Sequence, residues 1–169
     1  MLIYNYTSYA KVNLGLRVLN KKSNGYHNLH SLFIEIDLAD ELIFTSSSDF
    51  RLTAKCPDDI RIPLDDTNLI TQAYKIMHSE SNSVLSEYSI HLKKVIPLSA
   101  GLGGGSSNAA YTLKALNALW KLNFSQKELE TIGVKLGADV PFFIRGKFQL
   151  AEGIGEKLTP QNNNILQGL

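Results

Sequence analysis

Four of the five residues from Gly101 to Gly105 are glycine, and Ser106-Ser107-Asn108-Ala109-Ala110 follows without a break. Glycine has no Cβ, so consecutive backbone N–H groups in such a stretch can turn toward one point. The Ser106-Ser107-Asn108 run is N-cap chemistry for the alanine-rich helix beyond it. A helix N-terminus reached in this way offers unpaired donors and a partial positive charge, which together make an anion site held by backbone geometry. A merely flexible turn is the alternative, yet a plain linker is rarely followed at once by two hydroxyls and a helix. Two common phosphate loops do not fit. The P-loop pattern needs a lysine after its last glycine, and the dinucleotide fingerprint needs a third glycine where Ser106 stands. The stretch from Pro97 to Ala110 is therefore a phosphate loop of another kind.

The flanking periodicities place this loop between a strand and a helix. Tyr88, Ile90 and Leu92 alternate in a strand that leads into it, and Ala109, Leu113, Leu116 and Trp120 recur as one buried helical face after it. Trp120 reads as core rather than ligand. Upstream, Leu32, Ile34, Ile36 and Leu38 point one way while Phe33, Glu35 and Asp37 point the other, and Phe50, Leu52 and Ala54 repeat the pattern. Asn68 precedes a helical run in which Ile70, Ala73, Tyr74 and Met77 share a face. Ser125 and Glu128 have capping-box spacing, Leu129, Ile132 and Leu136 form a stripe, and Gly137 is a C-terminal stop. Ser46-Ser47-Ser48 and Ser79 to Ser86 read as short polar loops.

Composition narrows the class of ligand. Seventeen basic and sixteen acidic residues leave a formal net charge of +1. That balance argues against a broad electrostatic footprint for nucleic acid or anionic membrane, so an anionic ligand must be gripped locally. The one cysteine, Cys56, allows neither a disulfide framework nor a cysteine-based zinc site and fits a reducing compartment. The first residues lack signal-peptide character and no stretch has the apolar length of a membrane span, so the expectation is a cytoplasmic protein.

Asp139 is the acid that most needs explaining, because Val140, Phe142 and Phe143 surround it in sequence. Burial there costs desolvation unless a cation is near, and such placement prepares a carboxylate for proton transfer. It serves equally well as a helix-end or turn aspartate, and a partner decides between the two. Lys11 is a candidate partner: in Ala10-Lys11-Val12-Asn13-Leu14 it shares a strand face with Asn13. A lysine in an early strand is otherwise a solvated side chain. Gly25-Tyr26-His27 follows a turn-like Lys21-Lys22-Ser23-Asn24 and presents an aromatic and an imidazole, either as ordinary surface residues or to a base. His30 and His91 have no ligand spacing to His27 that would favour a metal.

Taken together, these stretches resemble the N-terminal part of the 4-diphosphocytidyl-2-C-methyl-D-erythritol kinase family, within the GHMP (galactokinase, homoserine kinase, mevalonate kinase) superfamily. The matching segments are Ala10 to Leu14, Gly25-Tyr26-His27, Asp66 to Leu69, Pro97 to Ala110, Ala115 to Trp120, Leu136 to Phe143 and Glu152 to Glu156, in the family's order. The glycine loop alone marks the superfamily; Gly25-Tyr26-His27 and Gly137 to Phe142 mark the member.

The resemblance implies an α+β, two-layer kinase domain like one found in a ribosomal protein, with residues 1–160 as an ATP-binding N-terminal domain. It implies ATP-dependent phosphorylation of the 2-hydroxyl of a cytidine-diphosphate-linked methylerythritol in a non-mevalonate route to isoprenoid precursors. Asp139 would take the hydroxyl proton and Lys11 would hold that acid. Pro97, Gly101, Gly103, Gly104, Gly105, Ser106, Ser107 and Asn108 would hold the ATP phosphates. Ser106 or Ser107 would help place Mg²⁺, whose ligands stay open. Asn68 and Lys94 match positions near the adenosine end, Asn13 contacts a phosphate or the methylerythritol, Tyr26 stacks on cytosine and His27 bonds its edge. Family members continue into a second domain with a further glycine-rich motif and another aromatic, so residues 161–169 read as a linker or the start of that domain, and the expectation is a fragment with little activity alone. Two other readings stand beside this one: another small-molecule kinase of the superfamily, and a noncatalytic nucleotide- or RNA-binding module on the same scaffold.

Overall fold

The computed structural model describes residues 2–21, 27–57, 61–81, 85–153 and 157–161. Two long strands, β1 (Ile3–Lys21) and β2 (His27–Ser47), form its spine, paired antiparallel over almost their whole length. With β1 along one edge of β2, the other edge is shared. β4 (Glu87–Lys93) pairs with Glu41 to Ser47, and β5 (Phe148–Gly153) pairs with Leu29 to Ile34. β3 (Arg51–Lys55) adds in parallel to β4, and β6 (Lys157–Pro160) adds antiparallel to β5. Among the described residues this makes one mixed six-stranded sheet in the order β3-β4-β2-β5-β6, with β1 also on β2.

The helices α1 (Leu69–Glu80), α2 (Gly104–Leu119), α3 (Gln126–Leu136) and α4 (Val140–Arg145) supply the second layer. They pack on the face carrying Phe33, Leu42, Phe44, Ile90 and Leu92, and the Phe33 ring meets Phe142 edge-on at 5.4 Å. The α1 face of Ile70, Ala73, Tyr74 and Met77 is buried as its periodicity requires. Trp120 caps α2, meets Tyr74 edge-on at 5.2 Å and donates its indole N–H to Ser86 O. β2 and α1 extend through Ser47 and Glu80, so part of each serine-rich run is regular structure rather than loop.

A change of parity in β2 positions the site. Ser31 and Phe33 face the helices, and the alternation read from sequence holds as far as Ile36. Tyr9 then pairs with Ala39 while Ala10 pairs with Ile36, so Asp37 and Leu38 are extra residues on β2. The strand bulges at these residues, and the residues that face inward have opposite parity on its two sides. Beyond it the inward set is Asp40, Leu42 and Phe44, all buried. Leu38 is thus not the continuation of the Leu32–Ile36 face. Tyr26 and the residues of the domain-end expectation from 162 to 169 lie outside the described residues.

The cap of α2 also differs from expectation. Ser106, Ser107 and Asn108 do not cap it; the N-cap is Gly103, at φ 69° and with no side-chain cap hydrogen bond. The reason lies beneath the helix. Ser107 Oγ donates to Tyr9 O at 2.6 Å and lies 2.8 Å from Ser8 Oγ, and Ser8 Oγ donates to Asn108 Oδ1 at 2.8 Å. Two of the three polar side chains therefore fasten the first turns of α2 to β1. The leading N–H groups of the helix are left to the cleft.

Candidate active site

The loop between β4 and α2 roofs an open cleft of about 390 Å³, lined by Pro97 to Ser106 together with Lys11, Leu69, Lys94 and Asp139. Backbone contacts pin the loop from below: Lys11 N–H donates to Leu102 O at 3.0 Å. Gly101 and Gly103 take φ values of 73° and 69°, in the left-handed region that glycine enters without strain. At Gly103 space is decisive as well, since a Cβ would sit 2.7 Å from the Phe143 ring. The backbone of the loop thus approaches the Phe143 ring more closely than any side chain permits.

Asp139 reaches the same cleft from the opposite wall. It ends the turn after α3 and stands at the N-cap of α4, yet its carboxylate makes no capping bond. The capping box of Ser125 and Glu128 and the stop at Gly137 fix where α3 begins and ends, and Pro141 in the first turn of α4 fixes the next start. The carboxylate lies 3.6 Å from Lys11 Nζ, with the acid about one-third exposed and the lysine nearly covered. Lys11 Nζ also donates to Asn13 Oδ1 at 2.7 Å and sits 4.4 Å over the Phe33 ring. Residues 128 positions apart in the chain are therefore one ion pair facing the glycine loop.

The remaining candidates divide by where their polar atoms point. Ser106 lines the cleft, and a Cβ placed on Gly137 would lie 3.7 Å from its Oγ, so this hydroxyl faces the turn that carries Asp139. Ser107 is fully buried, with its hydroxyl spent on Ser8 and Tyr9, so it does not reach the cleft; Asn108 accepts from Ser8 through Oδ1 and borders the adjoining cavity rather than the cleft of the glycine loop. Asn68 caps α1 by accepting from Ile70 N–H and donates to Pro63 O, and it borders an adjoining cavity of about 170 Å³ with Leu69, Leu92 and Lys94. Lys94 forms the floor between the two spaces, with its ammonium on Asp40. Asn13 is exposed next to Lys11. His27 is the first residue of β2 and pairs with Lys21; its side chain, like Tyr26, lies outside what the structure describes.

A second layer stiffens the wall behind Phe143. Lys114 Nζ donates to Phe143 O at 3.2 Å and lies 3.7 Å from the centre of the Tyr111 ring. Burial pushes the Lys114 ammonium below its ordinary pKa and, with the nearby Glu35 charge, pushes the Tyr111 phenol up. Glu35 accepts from Lys147 N–H at 2.7 Å, fastening the chain after α4 to β2.

Sequence reasoning missed Ser8 and Asp40. Neither belongs to a recognisable motif, and both act on partners far along the chain. A buried-strand aspartate between Ala39 and Glu41 was the one available signal.

Chemically, the arrangement pairs backbone donors for an anion with a carboxylate beside a cation, in one cleft. Among the described residues, no group of three or more His, Cys, Asp or Glu is placed to hold a metal. Among the described residues lining the cleft, Asp139 is the one carboxylate and Ser99 and Ser106 are the hydroxyls, a donor set that fits a cation such as Mg²⁺, which takes one or two protein oxygens and draws the rest from phosphate and water.

Comparison with known proteins agrees with this geometry. Residues 68–147 match the model described as "GHMP kinases N terminal domain". The 4-diphosphocytidyl-2-C-methyl-D-erythritol kinase of Marinobacter nauticus is 45% identical over 156 residues, which is 90% of this chain and 53% of that protein. Its counterpart in Fusobacterium nucleatum is 44% identical over 163 residues, 96% of this chain and 55% of the relative. A crystal structure of a 4-(cytidine 5'-diphospho)-2C-methyl-D-erythritol kinase superposes with a TM-score of 0.79 at 38% identity, covering 94% of this chain and 55% of that one. Methanococcus jannaschii mevalonate kinase, at 15% identity and TM-score 0.68, shares the fold. The chain spans about half the length of the curated relatives it matches.

Proposed function

Because this chain carries the mixed α+β N-terminal domain of the GHMP kinases, we propose that it is the ATP-binding half of a kinase that phosphorylates the 2-hydroxyl of 4-diphosphocytidyl-2-C-methyl-D-erythritol. The observation that carries the reading is the Lys11–Asp139 pair, set across one cleft from the glycine loop.

In this reading the backbone donors from Gly101 to Ser106 hold the triphosphate at the start of α2. Asp139 accepts the proton of the acceptor hydroxyl as its oxygen bonds to the γ-phosphorus and the bond from that phosphorus to ADP breaks. Lys11 fixes the carboxylate and offsets negative charge as the phosphoryl group passes. Positioning supplies much of the remaining rate, which is why both walls of the cleft are braced from behind. Ser106 and Asp139 would hold Mg²⁺, which neutralises phosphate charge when bound. Asn13 meets the acceptor, Tyr26 stacks on its cytosine and His27 bonds the base edge; Asn68 and Lys94 border the adenosine end.

The test is phosphoryl transfer from ATP, in Mg²⁺, to the cytidine-diphosphate methylerythritol, with this chain assayed beside a version extended to the length of its relatives. Transfer by the extended protein supports the proposal. Two folded proteins that both fail to transfer reject this substrate.

A further inference from the structure

The glycine loop is held at both ends by one cross-strand pair. Ser8 on β1 lies opposite Asp40 on β2, immediately beyond the bulge. Ser8 grips the exit, through Ser107 and Asn108 in α2. Asp40 grips the entrance: one carboxylate oxygen accepts from Val95 N–H at 2.6 Å and Ile96 N–H at 2.8 Å, and the other accepts from Lys94 Nζ at 2.8 Å. Lys94 Nζ donates in addition to Ile96 O. Its ammonium sits under the first residue of α2, where a Cβ on Gly104 would lie 3.1 Å from it. The side chains of Lys94 and Asp40 are 3% and 0% exposed.

We propose that Asp40 is a positioning residue for the phosphate cradle, a role that rests on the nucleotide-binding reading above. Its carboxylate sets the path of the chain entering the loop and holds the Lys94 cation directly behind the donors of α2. Burying two charges is costly, and apolar replacements of such pairs often leave stability unchanged or improved, so stability alone is a weak reason for one here. What an ion pair at this place provides is direction. Carboxylate bonds to two successive N–H groups fix the backbone before Pro97, and a cation behind the helix start adds to the field that the backbone donors present to a phosphate. Without the carboxylate the ammonium is uncompensated in a dry site. It must leave, and it releases Ile96 O as it goes.

The test is a calorimetric titration of the 169-residue protein with ATP in Mg²⁺ and, separately, with adenosine. Asp40→Asn keeps the shape and an acceptor for the two N–H groups while removing the charge. Asp40→Glu is the companion variant, which keeps a negative charge for Lys94 but moves the carboxylate off the Val95 and Ile96 N–H groups. The expected result is a loss of about tenfold or more in ATP affinity, the scale of a lost charge-assisted contact, with adenosine affinity changed less than about twofold. Equal losses for both ligands, or a folded variant that binds ATP as the parent does, overturns the role of Asp40. A parent protein that binds neither ligand counts instead against the nucleotide-binding reading.

Discussion

Gly103 and Gly105 stand two residues apart in the same loop and make opposite demands. Alanine at 103 must adopt a positive φ and drive its methyl into the Phe143 ring, whereas at 105 the nearest atom to a Cβ is Leu69 Cδ1 at 3.7 Å, in helical backbone. Gly103→Ala should cost about 2–3 kcal/mol from strain and overpacking. Gly105→Ala should gain about 0.5–1 kcal/mol by replacing glycine in a helix. Urea unfolding of the two variants reads both numbers, and a Gly103→Ala protein as stable as the parent would remove the close-packing account of the loop. Asp139 is the corresponding residue for chemistry. In the extended, active protein, Asp139→Asn should lower kcat by about 10²–10⁴ and leave ATP affinity near the parent's, since it removes a base and keeps the shape. An unchanged kcat rejects Asp139 as the base.

At the scale of elements, α3 sets where Asp139 stands, and its start carries a pH signature. Glu128 accepts from the Ser125 hydroxyl at 2.6 Å and the Ser125 N–H at 2.8 Å, and these bonds hold its carboxyl below the ordinary 4.5. A depressed carboxyl stabilises the fold fully above its unfolded pKa, and the contribution is lost as pH falls through the lower folded value. Ser125→Ala should therefore be less stable than the parent at neutral pH, with the gap narrowing in acid as Glu128 protonates in both. Urea midpoints that differ equally at neutral and acid pH would contradict this. Capping boxes, helical stripes and the glycine loop were legible in the sequence because their partners lie within a few residues. The Lys11–Asp139 pair was legible as a need, a carboxylate among apolar neighbours, but its geometry required the fold. The parity change at Asp37–Leu38 was not legible, since each half of β2 alternates correctly by itself and only the register against β1 exposes the two extra residues. Ser107 and Asn108 misled for a related reason: cap chemistry is local, and a buried partner at Ser8 outcompeted it.

For the whole molecule, those distant partners tie the cleft to global folding. Each anchor of the glycine loop spans much of the chain: Leu102 to Lys11, Asn108 to Ser8, Ile96 to Asp40. No local segment can preform the phosphate site, because β1, the far half of β2 and α2 must all be in register before its donors converge. A ligand of that site consequently binds the folded domain and not the unfolded chain, and its binding energy is added to the stability of the entire sheet and helix layer. ATP with Mg²⁺ at a hundredfold excess over its Kd should stabilise the chain by about 2.7 kcal/mol. For a domain of this size that corresponds to a rise in Tm of about 5–10 °C. The shift should appear as displacement of one cooperative transition, read alike by far-UV circular dichroism and by Trp120 fluorescence, since Trp120 packs against α1 at the far end of α2 from the loop. A nucleotide that moves neither signal would show that the cradle does not bind. A nucleotide that moves one signal and not the other would show that the loop forms independently of the core, against the long-range anchoring by Ser8, Lys11 and Asp40.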